Sequence, residues 1–319
     1  MMHLDRRTGE IRHALFRELP SLLRPGDCIV LNETRVLPAR LYGRLAGDGR
    51  EVEVLLLRPT KGPLSWQALL RPGRRLRPGR RIELGLYGGQ LVEAVVEHRA
   101  EAKAEVTFEG VAAAAFDDYL ADRGQMPLPP YIKRRAANPE DYQTVYSRVP
   151  GSVAAPTAGL HFTDRVLRAL AARRISVVKV LLHVGYGTFA PLRQEEVAAN
   201  RLEEEYYEVS QGAADEINRC RRRGGRVIAV GTTVTRTLET MGAAGGDVTA
   251  GTGWSGLFIH PGHRFVTVDG LLTNFHLPKS STLLLAAAVI RWEHLKRAYT
   301  RAVDLRYRFY SYGDAMLVI

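Results

Sequence analysis

The chain has 319 residues, 45% hydrophobic and 25% charged, the composition of a folded globular protein long enough for two domains or one domain with an insertion. Two cysteines in unlike contexts exclude a disulfide framework, no apolar run reaches the ~18 residues of a membrane span, and the opening MMHLDRRTGE lacks a secretion signal's apolar core, so a cytoplasmic location and no membrane are expected. The formal net charge of +11 is carried mainly by arginine and points to a polyanionic partner such as nucleic acid.

In chain order, residues 3–12 read as a strand and a Thr8-Gly9 turn, with a short helix around 13–22. Arg24-Pro25-Gly26-Asp27 is a turn and 28–31 a short apolar strand. Asn32, Thr34 and Arg35 follow at that strand's carboxyl end, where open α/β sheets bind ligands. An Asx-type turn explains Asn32 and Thr34 equally well but leaves Arg35 over. The segments 41–45, 52–57, 66–70, 81–84, 91–97 and 104–108 are short, rich in β-formers and separated by glycine and proline turns. They predict a small β-barrel at 40–110, inserted into an α/β domain made of 1–39 and 111–319.

Helical signals then resume. Residues 112–123 form a helix ended by Gly124, MPLPPYIK at 126–133 is proline-stiffened, and DYQTVYSR at 141–148 predicts a helix with Tyr142, Val145 and Tyr146 on one face. The stretch 149–163, VPGSVAAPTAGLHFT, has neither helical nor strand period. Its uncovered amides suit a loop that wraps a ligand, and Thr163-Asp164 at its end reads as the N-cap of a helix at 165–174. This is read as the active-site loop, with His161 as its imidazole and Thr157, Gly159 and Phe162 as contacts. Tyr142 and Arg148 join the site by adjacency.

Residues 175–184 form an apolar strand carrying His183 into Gly185-Tyr186-Gly187. A basic-ended helix at 213–223 precedes a buried strand at 226–231, and Thr232-Thr233 opens a helix at 234–241. Strand, glycine, hydroxyls and helix in that order suit an anion or a ribose, without the G-x-G-x-x-G of dinucleotide folds. Residues 251–258 and 265–268 carry strand signals, and LTNFHLP at 272–278 brings Asn274, Phe275 and His276 together ahead of Lys279. Helices at 283–292 and 293–305 precede YRFYSYGDAM, which holds Tyr312 and Asp314. The alternation across 112–319 predicts an α/β fold with a layered mixed sheet. No His/Cys/Asp cluster has metal-ligand spacing, so no metal is expected.

The phrases LNETRVLPARL, EVLLLRP, PLPPYIKR, DYQTVYS, GSVAAPTAGLHFT, LHVGYGTFAPL, RVIAVGTTVTRTLE, GLLTNFHLPKSSTLL and YRFYSYGDAML stand in order over nearly the whole chain. Together they resemble the S-adenosylmethionine:tRNA ribosyltransferase-isomerases of queuosine biosynthesis. The resemblance implies an α/β domain with a β-barrel inserted near its N-terminal side. It also implies S-adenosylmethionine as co-substrate with no resident cofactor, and a tRNA anticodon loop as partner of an enzyme expected to be monomeric. The implied reaction transfers and isomerises the ribosyl group of S-adenosylmethionine onto 7-aminomethyl-7-deazaguanine in tRNA, giving epoxyqueuosine, adenine and methionine. Family members usually carry a further segment ahead of the stretch matching Leu4-Asp5-Arg6. They also usually carry a His-x-Met-His-x-Glu pattern, of which only Glu205 is kept here, and small residues where Ile290-Arg291 stands. A degenerate relative that grips tRNA without turnover is therefore the alternative, and a methyltransferase lacks its glycine fingerprint.

Within the implied chemistry, a sulfonium acidifies the neighbouring ribose carbon and needs a base, for which His161 and His183 are suitable types. Departing adenine needs a proton donor, for which Tyr142, Tyr312 and His276 are candidates. The cationic sulfur suits Phe162, Phe275, Tyr186 or Asp314, and Lys279 suits a carboxylate or the tRNA backbone. Three basic clusters are candidate RNA contacts: Arg71, Arg74, Arg75, Arg77, Arg80 and Arg81; residues 133–135; and Arg219, Arg221, Arg222, Arg223 and Arg226.

Overall fold

A computed structural model describes residues 1–73, 76–100, 103–129, 131–132, 138–185, 187, 192–242 and 247–319. The chain divides into two compact units: 1–35 with 143–149 and 155–319, and 36–142 with 150–154.

The first unit is built on a nine-stranded sheet. Its order is Gly251–Leu257, Arg201–Val209, Ser176–Leu182, Cys28–Asn32, Val227–Val230, Gly270–Asn274, Ala315–Val318, Met2–Leu4 and Ile11–His13. The four strands from Ser176–Leu182 to Gly270–Asn274 run parallel. Three of them are buried at every position, as parallel strands covered on both faces must be, which is why their sequences, CIVLN, VIAV and GLLTN, are apolar up to their carboxyl ends. Successive side chains serve opposite faces. Ile29, Leu31, Ile228, Leu272 and Leu317 pack with Leu19, Val166 and Leu170 from the helices Leu19–Leu22 and Asp164–Ala172 and with Leu23 just past the first. Leu271, Met316 and Val318 join a second core under the helices Ser281–Val289 and Trp292–Asp304. The helices Gln211–Arg222 and Thr232–Gly242 pack on the strands Ser176–Leu182 and Val227–Val230.

Several local expectations are corrected. Residues 141–148 are not helical: only Pro139–Tyr142 makes a 3-10 turn, and the amides of Arg148 and Val149 donate to the Glu33 carbonyl instead of to helix neighbours. Residues 265–268 are not a strand, because the buried Glu239 carboxylate accepts the amides of Val266, Thr267 and Val268 at 2.9, 3.0 and 2.9 Å. The stretch 149–163 is not uniformly irregular; it contains the short strand Val149–Ser152 and the 3-10 turn Thr157–His161. The expected helix at 13–22 is a 3-10 turn, Phe16–Glu18, followed by the single turn Leu19–Leu22. The helix expected to reach residue 292 stops at Val289, where Ile290 turns extended at φ −129°.

The second unit is a closed antiparallel barrel ordered Lys103–Glu109, Ser65–Arg71, Glu51–Gly62, Arg40–Leu45, Arg81–Tyr87 and Gln90–Ala100. Period-two burial is plain in Ser65–Arg71, where Trp66, Ala68 and Leu70 point inward. The unit is wider than the strand pattern marks, because the helix Phe116–Arg123 packs on the barrel. Phe116 and Tyr119 lie 4.8 and 6.4 Å from Phe108, ring centre to ring centre. Among the described residues no helix is long and apolar enough to cross a membrane, and Cys28 and Cys220 are free and buried.

Candidate active site

Parallel strands end together. Asn32, His183, Gly231 and Asn274 therefore stand at or just beyond the carboxyl ends of four neighbouring strands, on one edge of the sheet. Asn32 is consumed in joining two of them: its Nδ2 donates to the Leu182 carbonyl at 2.8 Å, and its Oδ1 accepts the amides of Leu182 and Thr34, each at 3.1 Å. Arg148 clamps the buried Glu33 carboxylate bidentately, at 3.0 and 2.6 Å. Arg35 donates to Ser147 Oγ at 3.1 Å.

His161 ends the 3-10 turn Thr157–His161. Gly159 is what lets that turn lie so close to its neighbours, since a Cβ there would meet Tyr146 Oη at 2.1 Å. The imidazole stacks on Phe16 at 5.1 Å, and its Nε2 lies 3.3 Å from Asn274 Nδ2. Asn274 in turn accepts from Thr157 Oγ1 at 3.1 Å and donates to the Gly313 carbonyl at 3.4 Å. Burial lowers the His161 pKa to about 4, so the ring is neutral at neutral pH. Asp314, which partly opposes that shift, accepts the Arg308 amide at 2.7 Å.

His183 has Nδ1 2.9 Å from Thr34 Oγ1 and its ring stacked on Tyr206 at 5.8 Å. Burial lowers its pKa to about 4 as well. Next to it, the Gly185 amide donates to Glu205 Oε1 at 2.8 Å. Glu205 is ion-paired to Arg236, and the two side chains are 5% and 9% exposed. Burial lowers the guanidinium to about 10, leaving it charged at neutral pH. Arg236 also lines a small cleft with Thr232, Thr233, Ser281, Thr282 and Leu285. There Gly231, at φ +90°, turns the strand into the helix Thr232–Gly242.

The sequence reading named Thr232 and Thr233 but missed Arg236, Glu205 and Phe16 as members of this edge. A signal for Glu205 exists: Glu205, Tyr207 and Val209 are the buried, alternating positions of the strand Arg201–Val209. Phe275 is fully buried among Tyr299, Tyr307 and Phe309, Phe162 packs edge-on to Phe16, and Tyr142 is fully buried in the barrel unit. His276 is half-buried with Nε2 2.7 Å from Thr273 Oγ1, and burial lowers its pKa to about 4. Tyr312 and Lys279 are exposed, the latter in the left-handed region at φ 59°. Tyr186, Arg74, Arg75 and residues 133–135 lie outside the described residues. In the basic clusters, Arg81 pairs with Glu93 and Glu109, Arg219 with Glu216, Arg222 with Asp247 and Arg226 with Asp27. Among the described residues no group of three or more His, Cys, Asp or Glu is placed to hold a metal ion.

A family model described as "Queuosine biosynthesis protein" matches residues 1–318. The curated S-adenosylmethionine:tRNA ribosyltransferase-isomerase of Symbiobacterium thermophilum is 49% identical over 100% of this chain and 92% of its own length. That of Moorella thermoacetica is 47% identical with the same coverage. A crystal structure of S-adenosylmethionine tRNA ribosyltransferase from Thermotoga maritima is similar at 32% identity and a TM-score of 0.54, covering 100% of this chain and 91% of that one. Sequence and fold agree over the whole length, and the chain belongs to the queuosine biosynthesis protein family, the S-adenosylmethionine:tRNA ribosyltransferase-isomerases.

Proposed function

We propose that this chain transfers and isomerises the ribosyl group of S-adenosylmethionine onto 7-aminomethyl-7-deazaguanine in a tRNA anticodon loop. The products are epoxyqueuosine in the tRNA, free adenine and methionine. The observation that carries the reading is that two neutral, half-buried imidazoles, His161 and His183, stand on the same strand-end edge as a buried arginine and several hydroxyls.

The chemistry divides between the two rings. His183 Nδ1 lies 2.9 Å from Thr34 Oγ1, and in the tautomer that donates Nδ1–H to that hydroxyl Nε2 keeps its lone pair and serves as the base toward the ribose carbon next to the sulfonium. His161 has the opposite arrangement, with Nε2 taken by Asn274 and Nδ1–H left to donate to the departing adenine. A neutral imidazole in that role hydrogen-bonds to the leaving nitrogen and keeps its own proton; the proton that adenine gains comes from water, and the one His183 takes from the ribose carbon returns to water. Arg236 and the hydroxyls around it fit the carboxylate of the methionyl part. No metal or resident cofactor enters this scheme, and a tRNA substrate fits a cytoplasmic enzyme.

The test is incubation of purified protein with S-adenosylmethionine and precursor-bearing tRNA. Adenine and methionine should appear in equal amounts. S-adenosylhomocysteine would instead mark a methyltransferase, and no product would mark a relative that has lost turnover.

A further inference from the structure

We infer that the paired helices Leu19–Leu22 and Asp164–Ala172, with the turns at their ends, form the surface that holds the phosphate backbone of the RNA substrate. The inference rests on the reading that tRNA is that substrate. Six arginines are exposed on this surface: Arg17, Arg24, Arg165, Arg168, Arg173 and Arg174. Val166 and Leu170 bury the opposite side of the longer helix. The Gly26 amide donates to the Arg174 carbonyl at 3.0 Å, which joins the turn after Arg24 to the end of that helix. At the other end Phe16, the neighbour of Arg17, stacks on His161 at 5.1 Å and meets Phe162 edge-on at 5.2 Å. The arginine face therefore runs up to the candidate active site.

Composition alone does not account for these side chains. Among the described residues none of the six meets a carboxylate at ion-pair distance, whereas Arg81, Arg219, Arg222 and Arg226 all do. The carboxylates on these segments and their turns are Glu18, which accepts the Leu15 amide at 2.9 Å, the buried Asp27, which accepts the Arg24 amide at 2.8 Å and pairs with Arg226, and Asp164. Nor does helix stability explain them. Thr163 caps the helix, so Arg165 lies in the first turn, where a cation opposes the helix dipole. Arg174 takes the left-handed conformation at φ 58° just past the helix, a position that favours glycine or asparagine. Arginine stands at both positions against local preference. Its planar fork matches phosphate oxygens, and a row of unpaired guanidiniums attracts a polyanion by releasing its counterions.

The experiment measures tRNA affinity across a salt series for the full chain. The triple variant Arg165→Gln/Arg168→Gln/Arg173→Gln should lower the slope of log affinity against log salt by about two units if all three contact single-stranded phosphates. The matching Arg→Lys triple should keep most of the slope, and S-adenosylmethionine affinity should stay unchanged in both. Arg219→Gln/Arg222→Gln, where the charges are already paired, is the control and should leave the slope within half a unit or so of the wild type. An unchanged slope in the Gln triple, or an equal loss in the control, would overturn the surface. A wild-type chain that binds tRNA but releases no adenine overturns only the proposed reaction, because the slopes still test the surface. One that binds no tRNA overturns both.

Discussion

The carboxamide of Asn274 decides which nitrogen of His161 carries the proton. Its Nδ2 lies 3.4 Å from the Gly313 carbonyl, which can only accept, so the amide cannot be turned the other way round without setting two oxygens together. Nδ2 is then the group 3.3 Å from His161 Nε2, and that ring nitrogen must accept. The imidazole proton is left on Nδ1. We predict that Asn274→Asp reverses this arrangement, since a carboxylate draws the proton to Nε2 and raises the His161 pKa above its value of about 4. Adenine release should fall about 10²–10⁴-fold with S-adenosylmethionine affinity largely kept. Nitrogen chemical shifts of labelled histidine report the tautomer directly; an unmoved proton would end this account.

Acid should weaken the fold through three histidines. His161, His183 and His276 are each lowered by burial from 6.5 to about 4. Between those values the unfolded chain binds more protons than the folded one, so stability rises with pH across that window. The contribution is whole above pH 6.5 and is lost as pH falls toward 4, at about 1.4 kcal/mol per histidine for each unit crossed. Thermal unfolding should give a midpoint that is flat above neutrality and drops below it. His276→Gln should shallow the acid limb, and a limb of unaltered steepness would remove His276 from the set.

Gly159 is expected to tolerate no side chain while Tyr146 keeps its hydroxyl. A Cβ would lie 2.1 Å from Tyr146 Oη and 2.9 Å from Thr144 Cγ2. Gly159→Ala should destabilise by about 1–3 kcal/mol and displace the turn that carries His161. Adding Tyr146→Phe removes the nearest atom and should restore part of both stability and adenine release. Equal losses in the single and double variants would show that the clash lies elsewhere.

The Glu205–Arg236 pair should behave as a buried ion pair does when halved. Arg236→Leu leaves a carboxylate nearly without solvent and should cost about 3–5 kcal/mol in chemical denaturation. Glu205→Gln on that background removes the stranded charge while keeping an acceptor for the Gly185 amide, so stability should recover in the double variant. Simple additivity of the two losses would mean that the pair is not coupled.

Patterns confined to one element were the legible part of this structure. The barrel strands could be read because inward side chains alternate and turn residues separate them, and the parallel strands because both their faces are covered. Residues 265–268 have strand composition, but a carboxylate from a distant helix takes their amides. The apolar spacing at 141–148 suggested a helix, yet Tyr146 packs in the sheet core while Val145 is 56% exposed. At the site, His161 and His183 stood out by their glycine-rich surroundings. Phe16 and Arg236 did not, because what marks them is contact with residues far away in the chain, His161 and Glu205.

The strand Ala315–Val318 lies between Gly270–Asn274 and Met2–Leu4, and among the described residues Met2–Leu4 and Ile11–His13 join the sheet through it. During synthesis the first strands therefore wait for one made some three hundred residues later. The strand Cys28–Asn32 waits as well, for neighbours that begin at Ser176 and Val227. The barrel's strands, by contrast, are all translated in one stretch between Arg40 and Glu109 and can pair while the ribosome is still at work. Early strands of the first unit thus depend on partners translated late, and a stall in translation before Ser176 leaves the apolar strand Cys28–Asn32 without its neighbours.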